Sequence, residues 1–442
     1  MSHPIEVVSY NPSWPQMIEE EAVLVKKTPL MTLALGLMSG TSMDGIDGAL
    51  IETDGLFHVK QMGHVSIPYA PHVRTLLKAA ESFVRQGQKP ADFETIFQTF
   101  LQKSVGLSPE ESEKRVQQTK TMLGTSTLTL KDVERLSTDL HREAVEALLR
   151  TYQATPDVIG YHGQTLYHNP LKRISLQMGD GQYLAMATGM KVVNNFRAKD
   201  MAAGGQGAPF APLYHQALAM RDGKLPLAVV NCGGISNITL IKDDDPTSLI
   251  SFDPGPGNSL IDQFVTLRTS GQWAMDMDGQ FGAKGQVNES VLEELRQQAV
   301  RQNGENYLGM PPPKSLDIGD LHLLPSLENL SLEDGCATLE AFTAEAIVRS
   351  LDLTTPPYPK HWILAGGGWY NPVIKSALIT LLQQRLGDDI VIETADEAGW
   401  NNRALEAQIF AYLAVRHLKG LPTSYPTMTG VSTPTVGGDV YG

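Results

Sequence analysis

A chain of 442 residues, 42% of them hydrophobic, is long enough for two or three domains with cores of their own. Its 49 acidic against 35 basic residues give a formal charge of -14, which excludes the basic footprint of a general nucleic-acid binder, and no apolar run approaches the roughly 18 residues a membrane span needs. Two cysteines, Cys232 and Cys336, without metal-type spacing, exclude a disulfide framework and fit a reducing, cytoplasmic setting.

Residues 1–30 stand apart. MSHPIEVVSYNPSWPQMIEEEA is acidic and interrupted by Pro, unlike a secretory signal. A short strand is expected at 5–10 and a short helix at 17–27, too small to own a core. The run resembles the opening of the GrpB-like nucleotidyltransferases, VVxYxPxWPxxxEEEA, over residues 1–27 only. None of that family's activity is carried over, and the stretch reads as an extension.

From Thr32 the pattern becomes strand-rich. LALGLMSGTSMDGIDGALIETDG sets two apolar strands, 32–38 and 46–53, around a turn of small polar residues, a hairpin. Helices are expected at 71–86 and 90–105. Another at 108–119 opens on Ser-Pro-Glu-Glu, an N-cap, a first-turn Pro and two acids near the helix N-terminus. Apolar spacing predicts a helix over 130–152. A short buried strand at 158–160 runs into His162-Gly163-Gln164, and a strand at 174–178 ends on Gly179-Asp180-Gly181. Residues 225–242 repeat the layout of the first hairpin, which suggests two similar halves. A strand at 249–253 leads through PGPGN to a helix at 259–267. A strand at 362–365 leads through GGGWYN to a helix at 372–386. A last amphipathic helix covers 404–419, and 422–442 reads as loop. Strands alternating with helices imply an α/β architecture.

Glycine lacks a Cβ, so its amide can approach an anion closely, and successive amides make an anion-binding nest. Four such turns occur, at 39–45, 232–237, 254–258 and 366–371. The last two enter helices, whose N-termini favour negative charge. Together they point to a nucleotide held between two lobes, with a hairpin touching the phosphates from each side. No GxxxxGK[ST] is present, and GPGNSL lacks the third glycine of a dinucleotide fingerprint. Asp44 and Asp47 would repel phosphates unless a cation intervenes, so Asp44 is assigned to a Mg2+ shell of carboxylate, water and phosphate oxygens. Asp47 is open between that shell and a hairpin hydrogen bond. Asp180, on a strand-end turn, is either a general base facing a cleft or a plain turn residue, since Gly-Asp-Gly is a common turn composition. Arg197 and Gln206, in the following glycine-rich stretch, can hold a substrate's carboxylate and hydroxyls.

The motifs GLMSGTSMDGIDGALIETDG, YHGQTLYH, LQMGDG, NNFRAKDMAAGGQGAPFAPLYH, NCGGISNIT, FDPGPGNSLIDQF, MDGQFGAKGQV, PPPKSLD, LAGGGWYNPVI and ALEAQIFAYLA, in this order, resemble the anhydro-N-acetylmuramic acid kinases from residue 33 to the end. The resemblance implies a two-lobed actin/hexokinase/Hsp70-like fold, a duplicated ribonuclease H-like α/β architecture. It implies ATP and Mg2+, with water, converting 1,6-anhydro-N-acetylmuramic acid to N-acetylmuramic acid 6-phosphate in peptidoglycan recycling, and a homodimer. The family's base falls on Asp180, which takes a proton from the water that attacks the anomeric carbon, while O6 attacks the γ-phosphate. Its ATP loop falls on Gly40, Thr41, Ser42, Met43, Asp44, Gly45, Ile46 and Asp47. Further ATP contacts are expected at Gly233, Gly234, Asn237, Gly255, Gly257, Asn258, Gly366, Gly367, Gly368 and Asn371. Glu406, His162, Gln164, Arg197 and Gln206 are expected on the sugar.

The expected division is an extension over 1–30, a first lobe over 31–225 with Asp180, and a second lobe over 226–442 with the adenosine loop, its last helix able to pack back on the first lobe. Some positions depart from the family pattern. Cys232 stands where Ile is usual, Pro254 where Thr is usual, and Gly181 where Pro or Ala often follows the Asp; residues 106–129 run longer than usual. The readings kept beside the kinase are a same-fold kinase for another sugar and a non-catalytic ATP-binding protein.

Overall fold

The computed structural model describes residues 31–442 except 41, 88–91, 300–304 and 317–318. The strand expected at 5–10, the helix expected at 17–27 and Thr41 lie outside the described residues. The chain divides into two compact units. One takes the chain up to Gly207, Arg403–Thr423 and Pro434–Gly442; the other takes Ala208–Asn402 and Ser424–Thr433.

The first unit opens with β1 (Thr32–Ser39), β2 (Gly45–Thr53) and β3 (Val59–Pro68), followed by α1 (Pro71–Arg85), α2 (Phe93–Lys103), α3 (Pro109–Leu123) and α4 (Leu130–Tyr152). Then come β4 (Val158–Asn169), β5 (Ile174–Met178), α5 (Gly181–Thr188), β6 (Val192–Asn194) and α6 (Phe196–Ala202). The second unit carries α7 (Ala211–Arg221), β7 (Leu227–Cys232), β8 (Ser236–Ile241), β9 (Ile250–Phe252), α8 (Ser259–Arg268), α9 (Glu289–Gln298), α10 (Leu332–Arg349), β10 (His361–Ala365), α11 (Pro372–Leu386) and β11 (Val391–Thr394). The chain then returns α12 (Leu405–Leu418) to the first unit, α13 (Pro426–Thr429) to the second, and β12 (Asp439–Tyr441) to the first.

Both units use one strand order. In the first, β1, β2 and β3 form an antiparallel meander, and β4 and then β6 add in parallel beyond β1. In the second, β7, β8 and β9 form the meander, and β10 and then β11 add in parallel beyond β7. This is the duplicated α/β fold expected from the sequence. In the first unit β12 extends the sheet antiparallel to β6, and β5 hangs from the long β4.

Helices cover both faces of the first sheet, and glycines set how closely. A Cβ on Gly36 would stand 1.8 Å from Ala407 O, and one on Gly160 would stand 2.0 Å from Phe410 O. So α12 lies directly on the backbone of β1 and β4. Its docking is completed by Gln61 donating to Gln408 (2.9 Å), Tyr412 Oη to Leu56 O (2.7 Å) and Arg416 to Gly55 O (2.9 Å). On the other face α4 reaches β3, where Tyr152 fills the place of a side chain at Gly63. Leu35, Leu37, Leu50, Val65, Val145, Leu148 and Ile159 build the core there. The second unit has a separate core around Val230, Ile238, Phe264, Phe342, Trp362 and Leu378.

The segment around 106–129 is an ordered helix: Ser108 and Glu111 form a capping box at the start of α3, and Gly124 ends it in the left-handed conformation. No described helix is long and apolar enough to cross a membrane.

Candidate active site

β1 ends at Ser39 opposite Gln164 of the parallel strand β4, and His162, Gln164 and the turn from Gly40 to Asp47 lie around that point. In open α/β sheets this is where ligands bind. The turn after β1 is held from three sides. Gln164 donates to Gly40 O (2.9 Å), Arg74 to Ser42 O (3.2 Å), and the amide of Tyr69 to Asp44 O (2.8 Å). Met43 is buried with φ 53°, a left-handed conformation that a side chain other than glycine adopts only at a cost in strain. Ser42 Oγ donates to Asp44 Oδ1 (2.8 Å), and Asp44 is exposed.

Asp47, two pleats into β2, is different. Burial pushes its carboxyl up to about 6, against a hydrogen bond from Ser66; Asp44 adds to the rise and Arg403 opposes it. Close to neutrality it is partly protonated, which lowers its repulsion toward phosphate. Glu406, in the first turn of α12, keeps access to solvent but is crowded by protein, which raises its carboxyl; Asp47 adds, Arg197 opposes, and Asp44 adds again. The fold thus brings Asp44, Asp47, Arg197 and Glu406 within electrostatic reach of one another, though they come from distant parts of the chain.

His162 and Arg197 form the other wall. Arg197 donates to His162 Nε2 and to Gly207 O (2.6 Å), while Asp200 Oδ1 accepts the Gly207 amide (2.6 Å). The loop carrying Gln206 is therefore tied back to α6. Burial, then the Arg197 charge, holds His162 well below the usual imidazole range.

Asp180 is the N-cap of α5. Its Oδ1 accepts the Tyr183 amide (2.8 Å), and its own amide donates to Thr138 Oγ1 (3.1 Å). The glycines beside it are required by packing. A Cβ at Gly179 would meet Tyr161 Oη at 2.4 Å, and one at Gly181 would meet the Asn194 amide at 2.5 Å. The two glycines flanking Asp180 therefore pack against a tyrosine hydroxyl and a carboxamide, a closer fit than a turn needs. Tyr161 and Asn194 had no role assigned from sequence. The signal was present, because Asn194 lies inside the NNFRAKD motif.

In the second unit the glycine turns bind one another. The amides of Asn258 and Gly257 donate to Gly233 O (2.7 Å) and Gly234 O (3.0 Å), and that of Ser259 to Gly234 O (3.1 Å). The donors expected at the start of α8 are therefore partly spent on the hairpin. A Cβ at Gly257 would meet Gly233 O at 2.1 Å, and one at Gly368 would meet Cys232 Sγ at 2.4 Å. The unusual Cys232 is thus a packing partner of the GGGWYN loop.

Asn237 donates to Asp253 Oδ1 (2.9 Å), whose carboxyl burial pushes up to about 6. Asn371 caps α11, accepting from Val373 (2.9 Å), and donates to Glu340 Oε1 (2.6 Å). Its side chain is committed to the fold. Glu340 is fully buried, and burial, with Asp276 beside it, pushes it up to about 8.

Among the described residues no group of three or more His, Cys, Asp or Glu is placed to hold a metal. A Mg2+ that keeps waters and phosphate oxygens needs only one or two carboxylates, and the exposed, oriented Asp44 fits that demand.

The family model described as anhydro-N-acetylmuramic acid kinase matches residues 98–442. Among curated relatives, the anhydro-N-acetylmuramic acid kinase of Bradyrhizobium diazoefficiens is 41% identical over 416 residues, covering 92% of this chain and 99% of the relative. The protein of the same name from Rhodospirillum rubrum is 39% identical, covering 92% and 94%. Among solved structures, component A of (R)-2-hydroxyglutaryl-CoA dehydratase from Acidaminococcus fermentans aligns at TM-score 0.38 and 10% identity, over 87% of this chain and 99% of that one. A ROK hexokinase from Thermus thermophilus aligns at TM-score 0.33 and 14% identity, over 85% and 99%. Scores this low add no weight to the sequence relatives.

Proposed function

This chain belongs to the anhydro-N-acetylmuramic acid kinase family, and from that premise we infer how its residues convert 1,6-anhydro-N-acetylmuramic acid, ATP and water to N-acetylmuramic acid 6-phosphate and ADP, a step of peptidoglycan recycling. Asp180 is the general base. It accepts a proton from water as the water oxygen bonds to the anomeric carbon. The bond from that carbon to O6 breaks, O6 bonds to the γ-phosphorus, and the bond from that phosphorus to the bridging oxygen of ADP breaks. The placement of Asp180 carries this reading: a carboxylate with one oxygen on a helix amide and glycines on either side, so that it cannot swing away.

Phosphoryl transfer is mostly positioning and charge stabilisation. The turn from Gly40 to Asp47, held by Gln164 and Arg74, serves the phosphates in the first unit. In the second, Gly233, Gly234 and the loop of Gly366, Gly367 and Gly368 serve the nucleotide, while Asn237, Gly255, Gly257, Asn258 and Asn371 fix those turns. Bound Mg2+ would supply charge neutralisation of the phosphates, with Asp44 as its protein ligand. His162, Arg197, Gln206 and Glu406 orient the sugar. A cytoplasmic location fits two buried free cysteines, and a homodimer is carried over from the family resemblance.

The test is purified protein with ATP, Mg2+ and the anhydro sugar, following ADP and 6-phosphosugar together. Both products in equal amounts are expected. ADP without phosphosugar would favour a non-catalytic ATP binder that slowly hydrolyses its ligand, and phosphorylation only of other sugars would move the assignment within the fold.

A further inference from the structure

Thr138 and His141 lie three residues apart on α4, and so on one face of it. They grip different parts of the candidate site. Thr138 Oγ1 donates to Glu134 O (2.8 Å), accepts from the Asp180 amide (3.1 Å) and is the partner of the Tyr161 hydroxyl. The Gly179 amide donates to Glu134 Oε1 (3.4 Å), and Tyr183 Oη donates to Asp139 Oδ1 (2.6 Å). The turn that carries the base is thus tied to α4 before, at and after Asp180.

His141 does the same for the phosphate turn. Its Nδ1 lies 2.7 Å from Ser137 O, a carbonyl that can only accept, so this nitrogen carries the proton. Burial takes the imidazole pKa down to about 4, which leaves the ring neutral and Nε2 an acceptor. Ser39 Oγ therefore donates to Nε2 (3.2 Å). Ser39 is the last residue of β1, directly before Gly40. Tyr69 braces the other end of the turn: its hydroxyl hydrogen-bonds Ser39 and Ser137, and its amide holds Asp44 O (2.8 Å). The rings of His141 and Tyr161 pack with centroids 4.9 Å apart, which joins the two grips.

Thr138, His141 and Ser39 are all buried. Apolar side chains would seat α4 on the sheet without burying polar groups; what the hydrogen bonds add is a fixed register. A helix rises about 1.5 Å per residue, so the two side chains leave α4 about 4.5 Å apart along a rigid axis. We propose that α4 spaces the general base from the phosphate turn, with Thr138 acting through the Asp180 amide and His141 acting through Ser39 as positioning residues of the reaction. The proposal rests on the kinase reading above. In that reaction the water activated at Asp180 frees O6, and O6 must then meet the γ-phosphorus, so base and phosphates have to be held at one separation.

The test uses the full-length protein, with kcat counted per nucleotide site titrated by calorimetry with a non-hydrolysable ATP analogue. Thr138→Val removes the acceptor of the Asp180 amide at nearly constant shape. Its kcat should fall about 10-fold or more with analogue affinity kept. His141→Phe keeps a ring on Tyr161 and removes the acceptor of Ser39, so the analogue should bind about 5-fold or more weakly. Thr138→Ser and His141→Gln restore an acceptor at each place and should recover most of each loss. Ser39→Ala should weaken analogue binding as His141→Phe does, and the double variant Ser39→Ala/His141→Phe should weaken it no further. A merely structural role would lower melting temperatures without this division between kcat and nucleotide affinity. Should Thr138→Val or His141→Phe fold poorly, the count per titrated site and Ser39→Ala still decide. Normal kcat in Thr138→Val, or unchanged analogue affinity in both His141→Phe and Ser39→Ala, would overturn the spacing role and leave the kinase reading standing. A wild type that binds the analogue but turns over no sugar would overturn both.

Discussion

Arg197 gives two guanidinium hydrogen bonds to one ring nitrogen, Nε2 of His162, at 3.2 and 3.0 Å. A guanidinium cannot accept, so Nε2 must carry the lone pair, and the proton sits on Nδ1, which donates to Gly163 O (2.9 Å). The imidazole is thus neutral and fixed in one tautomer. Its partner is a forked donor that a point charge cannot replace.

Arg197→Lys keeps the charge but loses the fork. The variant should lower kcat/KM for the sugar by about 10- to 100-fold, the range of a lost charged hydrogen bond, with ATP affinity little changed. Steady-state kinetics with each substrate varied in turn would show it. An equal loss against both substrates would mean that the residue only supports the fold.

Asp180→Asn separates the two duties of Asp180. Asn caps a helix as well as Asp does, so the melting temperature should hold. Without a base, kcat should fall by about 10²- to 10⁴-fold, while a non-hydrolysable ATP analogue binds as before by calorimetry. Near-normal turnover would remove Asp180 from the role.

Glu340 gives a pH signature to the second unit. Its folded pKa, about 8, lies above the ordinary 4.5, so the folded chain holds its proton more tightly than the unfolded chain does. Its stabilising contribution is complete below about 4.5, is lost as pH rises to about 8, and stays lost above. Glu340→Gln keeps the hydrogen-bonding shape without the titration. Its melting temperature relative to wild type should therefore climb by several degrees between pH 5 and 8, an effect of a few kcal/mol at this size, and then level off. A difference flat with pH would count against a protonated Glu340.

Gly36→Ala and Gly160→Ala drive a methyl into carbonyl oxygens of α12. Each should cost about 3 kcal/mol or more, the upper end of overpacking. Gly309→Ala, where a methyl meets nothing within 4 Å, should change stability by less than about 0.5 kcal/mol. Urea unfolding of the three variants would check the contrast.

Much of the fold was legible in local pattern. Both hairpins, α1, α4, α8, α11 and α12, and the Ser108 cap stand within a few residues of their expected bounds. The misses share a cause. β3 contains Gly63, a poor strand former, placed there because the Tyr152 ring occupies its side-chain space. β12, expected as loop, exists through pairing with β6, far back in the chain. α7 and α10 are buried round most of their circumference, so they lack the polar stripe that reveals a helix. The strand expected at 158–160 runs on to Asn169 because β5 pairs with its second half.

The site divides the same way. Asp180 was placed on a strand-end turn, open between general base and turn residue, and it is the N-cap of α5; the following GQYLAMAT with Asp ahead of it is a legible N-cap signal. The meeting of Glu406 with Asp47 and Arg197, the Tyr161–Asn194 pair, and the Asn371–Glu340 bond all depend on tertiary packing, which one sequence does not display.

The seat of α12 on Gly36 and Gly160 bears on how the protein is made. β1 leaves the ribosome more than 350 residues before the helix that covers its backbone and the strand that extends its sheet. The first unit must therefore wait, with glycine-lined strands bare, until residues 405–441 have been made. A ribosome stalled anywhere before Leu405 would hold a nascent chain that chaperones, rather than its own packing, must keep from aggregating.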